Sequence, residues 1–167
     1  RGVSGVLVFA KTEAAAEALR RQFAATKPER EYIALVAGRM QSDRGTFDKR
    51  MVIDNRTIHR RLTTSPNEGE RAVTHYIVKK RGKDMTLVLI RLETGRRNQI
   101  RVHFADAGHP VLGDPRYGKD KAKHRLWPHR RMALHAALLA FQHPVTGRAL
   151  RFETPEPREI ADVRMTG

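Results

Sequence analysis

Cysteine is absent from the 167 residues, which removes disulfides, thiolate chemistry and cysteine-ligated zinc together and suits a cytosolic chain. Long apolar runs are also missing. None approaches the roughly 20 residues that span a bilayer, and the opening Arg1-Gly2-Val3-Ser4-Gly5 has no signal-peptide layout. The chain has no glycine-rich phosphate loop, dinucleotide fingerprint, nucleophile elbow or internal repeat, so nothing in it calls for a cofactor. His124, His129 and His135 lack a nearby pair of carboxylates or thiolates and sit among cations that would repel a divalent ion, which argues against a metal site. Acids are scarce. Against 33 Lys+Arg there are 18 Asp+Glu, giving a formal net charge of +15 and a pI near 11.1. A phosphate backbone is the commonest partner for such a surface, because each neutralised phosphate releases a counterion. The membrane-surface alternative would need a helix with one basic and one bulky apolar face, and the sequence offers none. A hydrophobic share of 40% is enough for a real core, so residues 1–167 read as a single domain.

Val3, Val6, Leu7, Val8 and Phe9 predict a buried strand with no lead-in, so the domain is expected to continue upstream of Arg1. Thr12 can cap a helix with Glu13 and Glu17 early, Arg20 and Arg21 late, Leu19 and Phe23 inward, and Pro28 at its end. Tyr32 to Ala37 is a second buried strand, in which Tyr32 reads from the pattern alone as a core tyrosine. Gly45 to Thr64 predicts a twisted hairpin crowded with Arg56, His59, Arg60 and Arg61; it either reaches over a nucleic acid or is a charged edge that discourages strand pairing. Ala72 to Val78 and Met85 to Leu92 form two strands around the Arg81-Gly82-Lys83-Asp84 turn. Ile100, Phe104 and Ala107 then repeat at helical spacing, with Gly108 as the cap. Gly95-Arg96 becomes the strand-to-helix turn, with Arg97 and Arg101 one turn apart on the helix, an arrangement that could hold an anion. The tract Lys119 to Arg131 carries Lys121, Lys123, Arg125, Arg130 and the lone Trp127, which either stacks on RNA or turns inward. Met132 to Phe141 is expected to be a helix with Leu134, Leu138 and Phe141 on its apolar side and His135 in the core. Ala149 to Phe152 is a last strand. The alternation predicts an α+β fold, a mixed and largely antiparallel sheet with packed helices.

Several separated stretches resemble one family. They are Ser4-Gly5-Val6-Leu7-Val8-Phe9-Ala10-Lys11, Tyr32-Ile33-Ala34-Leu35-Val36-Ala37-Gly38, Leu92 to Phe104, Gly108-His109-Pro110-Val111-Leu112-Gly113-Asp114 with Tyr117-Gly118, and Leu134-His135-Ala136 with Phe141-Gln142-His143-Pro144. In this order they resemble the RluA-type pseudouridine synthases and span nearly the whole chain. The resemblance implies a bent-sheet catalytic core and a cofactor-free isomerisation, in which a uridine of ribosomal or transfer RNA is flipped out, its glycosidic bond broken and the base rejoined through carbon. Charge develops at the anomeric centre in such a reaction, so a carboxylate is required there. In the family it is an Asp in a His-Arg-Leu-Asp motif directly before the residues matching Arg1 to Gly5. On this reading the sequence is the C-terminal part of the core, beginning one residue too late, and is inactive by itself.

Tyr32 matches the family tyrosine that stacks on the target base, which reverses the plain core reading. Arg101 matches the arginine that pairs with the Asp, so its head should find water, an anion or a substitute acid. Arg96 and Gln99 fit the same motif as pocket-shaping or RNA-contacting residues, and Asn98 stands where the family usually has His. Arg56, Arg60, Arg61, Lys123, Arg125, Arg130 and Arg131 are the expected RNA contacts of a cytoplasmic monomer. The competing reading is a non-catalytic RNA-binding module on the same fold.

Overall fold

In the computed structural model the described residues are 2–25, 27–54, 57 and 59–165. In chain order they form β1 (Ser4–Gly5), α1 (Glu13–Ala25), β2 (Glu29–Ala37), β3 (Arg44–Ile53), β4 (Arg60–Thr63), β5 (Glu70–Arg81) and β6 (Met85–Leu92). There follow α2 (Gln99–Asp106), a 3-10 turn (Lys119–Ala122), β7 (Leu134–Gln142), β8 (Ala149–Glu153) and α3 (Arg158–Ala161). The strands make one sheet in the order β1-β7-β2-β6-β5-β3-β4, with β8 also on β7. Every named pairing is antiparallel except β1 with β7. This is the mixed, largely antiparallel α+β sheet expected from the sequence.

Inside the sheet, between β7 and β6, lies β2, where Ala34, Leu35 and Val36 are fully buried. A strand covered on both faces reads as a continuous apolar run, as this one does. Side chains alternate, so Tyr32, Ala34 and Val36 join Ile90, Tyr76, Ile100 and Phe104 on the face that carries α2. Ile33, Leu35 and Ala37 face the second core of Leu112, Trp127, Ala133 and Ile160. Against β7 the register of β2 shifts between Glu31 and Tyr32. The extra residue is Ala137 on β7, while β2 keeps an unbroken register with β6 through Glu31 and Tyr32, so its own alternation is undisturbed.

Three expectations fail. The segment from Met132 is a strand: β7 runs between β2 and β8. Leu134, Leu138 and Phe141 fit a helical spacing, but an apolar run buried between two neighbouring strands carries no distinguishing period, and pairing overrides the helix preference of its alanines. The strand over Val3 to Phe9 shrinks to Ser4–Gly5, paired with His135 and Ala136, and Leu7 and Phe9 are 72% and 81% exposed. Finally, α2 starts at Gln99, so Arg97 lies in the preceding turn instead of one turn from Arg101 on the helix.

Elsewhere the local signals are realised. The Thr12 hydroxyl accepts the Ala15 amide at 3.2 Å, Leu19 is buried, and Phe23 packs edge-on against Phe141. The basic hairpin forms as β3 and β4, paired from Arg50 with Thr63 to Ile53 with Arg60. Trp127 turns inward, donating its indole N–H to the Arg131 carbonyl at 2.8 Å. Among the described residues no helix is long and apolar enough to cross a membrane.

Candidate active site

The site is built where β6 hands over to α2. Gln99 is buried at the first position of the helix and uses its whole amide. Its Oε1 accepts the Thr94 hydroxyl at 2.8 Å and the Arg96 amide at 2.9 Å, while its Nε2 reaches the Val73 carbonyl at 2.9 Å and the Thr74 hydroxyl at 3.0 Å. Thr94 in turn accepts the Val73 amide at 2.8 Å. The turn is thereby tied to β5, and Gln99 has no donor left for RNA.

Asn98 precedes the helix with φ 61°, in the left-handed region that asparagine tolerates better than most residues. From there its Oδ1 accepts Arg101 Nη1 at 3.0 Å and its Nδ2 donates to the Tyr117 hydroxyl at 3.3 Å. Arg101 makes a bidentate pair with Asp114, Nε to Oδ2 at 2.7 Å and Nη2 to Oδ1 at 2.8 Å. Its guanidinium also lies 4.9 Å from the centre of the Tyr117 ring.

Asp114 is the acid that Arg101 meets in this structure. Its side chain is fully buried, and Oδ1 also accepts the backbone amides of Arg116 at 2.9 Å and Tyr117 at 3.0 Å. Burial is the largest single influence on this carboxyl and opposes ionisation. The Arg101 fork and the two amides together outweigh it and hold the group below the usual carboxylate range. An acid so committed to its own loop is a brace for Arg101 and is not offered to a substrate.

Arg101 and Tyr32 line one cleft of about 220 Å³, together with Arg96, Asn98 and Gln99 and walled by Val3, Leu92, Ile100 and Leu134. Burial raises the Tyr32 pKa, partly offset by the nearby Arg30 charge, so the phenol is neutral at physiological pH. The cleft adjoins a larger one of about 670 Å³ that shares Asn98 and Arg101 and is lined by Arg97, Arg116, His129, Arg130 and Arg131. Pairing divides the expected RNA contacts. Arg130 is exposed, but Arg131 is engaged with Ser4, Glu159 and the Trp127 ring. Arg96 reaches Glu70 at 2.6 Å, and Arg60 meets the same carboxylate at 3.2 Å. Arg61 lies 3.6 Å from Asp54, on the hairpin. Lys123, paired with Asp120 at 2.8 Å, and the exposed Arg125 line neither cleft. Arg56 lies outside the described residues. Sequence reasoning gave no role to Asp114, Arg116 or Tyr117. Asp114 and Tyr117 had entered only as part of the family-like stretch Gly108 to Asp114 with Tyr117-Gly118.

A family model described as RNA pseudouridylate synthase matches residues 1–106. The chain belongs to the RNA pseudouridylate synthase family. The RluA-type resemblance of its motifs stands. A relative from Bacillus subtilis (strain 168), the uncharacterized RNA pseudouridine synthase YlyB, is 40% identical over 163 residues, covering 98% of this chain and 52% of that protein. Ribosomal large subunit pseudouridine synthase D of Zymomonas mobilis is 38% identical over 164 residues, covering 96% of this chain and 51% of that protein. The chain thus spans about half the length of these curated relatives. Human RNA pseudouridylate synthase domain containing 1 superposes with a TM-score of 0.74 at 28% identity, over 90% of this chain and 64% of that one. The family fold and the cleft at its β6–α2 corner therefore come together in one sheet.

Proposed function

We propose that this chain carries the base-binding half of a pseudouridine synthase active site, and that the full-length protein isomerises a uridine in structured RNA. One observation carries the reading: Tyr32 and Arg101, distant in sequence, line the same small cleft, and that cleft opens beside a surface of arginines. An aromatic face and a fixed cation suit a flipped pyrimidine, while the arginines suit the flanking phosphates. The cleft volume is below the range of drug-sized pockets, as a single planar ring requires.

The chemistry needs a carboxylate at the sugar, and among the described residues no Asp or Glu lines the Tyr32 cleft. The aspartate implied by the family motif is therefore part of the proposal, as a residue of the full-length protein. Arg101, held from behind by Asp114, would keep two of its five N–H groups for that acid, since three are bonded among the described residues. Its fixed charge would favour the ionised form. Tyr32, neutral and mostly buried, would stack on the base and could exchange its proton with it. Large-subunit ribosomal RNA is the favoured substrate, because several relatives bear that name; transfer RNA is the other arm of the test.

The test incubates full-length protein with ribosomal and transfer RNA and maps pseudouridine. Product is expected in one class and is expected to fall at least a hundredfold in Arg101→Ala. Equal product from that variant would overturn the reading, as would no product from the wild type.

A further inference from the structure

The cations around the cleft are largely accounted for. Arg101 is held by Asp114, Arg96 by Glu70 and Arg71 by Asp48. Arg30 differs. Among the described residues no carboxylate lies within ion-pair distance of it, and its Nε is shielded from solvent without a hydrogen-bond partner. Burial lowers its pKa, and the charge interaction with Tyr32 only partly offsets that cost.

Its surroundings are shaped to hold it. Arg30 lies two residues before Tyr32 on β2, so both side chains leave the same face of the strand. The guanidinium rests against Gly95 in the β6–α2 turn. A Cβ built on Gly95 would overlap Arg30 Nη1 and lie 2.9 Å from Cζ and 3.0 Å from Nη2. Gly95 has no left-handed φ that would call for glycine. The missing side chain makes room for the arginine head. Arg30 does not itself line the Tyr32 cleft, but its charge acts on Tyr32, and the glycine it rests on is followed directly by Arg96, which does line that cleft.

A partly desolvated cation without a counter-charge is costly alone and strongly favourable once an anion arrives. The anion that RNA brings here is its own backbone. We propose that Arg30, braced on Gly95, binds a phosphodiester oxygen of the RNA strand next to the nucleotide whose base enters the Tyr32 cleft. The assignment rests on the uridine-isomerising reading given above, and its test separates the two.

The experiment measures the affinity of the full-length protein for a substrate oligonucleotide across a salt series, together with the Tm of each variant without RNA. Arg30→Gln is expected to weaken binding about tenfold at low salt and to reduce the slope of log K against log salt by roughly 0.7, the value for one single-strand phosphate. Its Tm without RNA should be unchanged or higher, since an uncompensated charge has been removed. Gly95→Ala should reproduce the weakened binding with Arg30 still present, and Arg30→Lys should restore most of the slope. An unchanged slope in Arg30→Gln would overturn the assignment, whatever its Tm. A Tm rise in inorganic phosphate that needs Arg30, with no slope change on RNA, would also overturn it in favour of a free-anion site. Absence of salt-dependent RNA binding by the wild type would instead sink the isomerase reading itself.

Discussion

Asp114→Asn is the perturbation that probes the architecture of the site most sharply. Asparagine retains an oxygen at the Oδ1 position for the amides of Arg116 and Tyr117 and for Arg101 Nη2, so the loop keeps its shape, but it places an N–H₂ where Arg101 Nε now finds Oδ2. The Arg101 side chain is only 14% exposed, so the substitution leaves a nearly buried cation without its counter-charge. Breaking a buried pair from one side costs about 3–5 kcal/mol. The retained bond to that oxygen, the bond to Asn98 and the Tyr117 face place this case near the lower end, at about 3 kcal/mol. For a chain of this size each kcal/mol moves Tm by about 2–4 °C, so a loss of about 6–12 °C is expected by calorimetry at neutral pH. The sign of its pH dependence follows from the carboxyl's depressed folded pKa. The stabilisation is present above the unfolded carboxylate value and is lost as pH falls through the folded one, so the gap between wild type and variant should close in acid. The double replacement Arg101→Met with Asp114→Leu should be more stable than Asp114→Asn, because it leaves no charge behind. A Tm within about 2 °C of wild type for Asp114→Asn would refute this reasoning.

Two further outcomes are expected. His103 is buried against Thr74, and burial lowers its pKa to about 4. Its contribution is present above the unfolded histidine value and is lost as pH falls from about 6.5 toward 4, on the order of 3 kcal/mol in all. NMR of the imidazole should therefore show no titration above pH 5, and a midpoint near 6.5 would contradict the packing. Trp127, the single tryptophan, should emit as a buried indole and keep that emission when RNA is added, because its ring faces the core and its N–H is bound to Arg131. Strong quenching by RNA would revive the stacking role.

Much of the sheet was legible because its signals are local. The continuous apolar run of β2, the turn between β5 and β6 and the Thr12 cap each announce themselves within a few residues. β7 was not legible, since alanine-rich apolar segments acquire strand geometry from neighbours that only the tertiary fold supplies. The site divides along the same line. Tyr32 and Arg101 could be named from motifs, but the partner of Arg101 comes from a loop beyond the end of α2, and no periodicity links Asp114 to it. The left-handed turn at Asn98 likewise shows its use only when Tyr117 and Arg101 stand on either side of it. Arg30 was invisible for the opposite reason. One arginine among 33 Lys+Arg has no distinguishing mark until its shielded, unbonded Nε is seen in three dimensions.

The most direct measurement is a structure of the full-length protein bound to a substrate RNA. It should show an extruded uracil stacked on the Tyr32 ring, Arg101 still forked to Asp114, and the flanking phosphates along Arg97, Arg116 and Arg130. A uracil bound away from Tyr32, with the cleft between β2 and α2 empty, would contradict it.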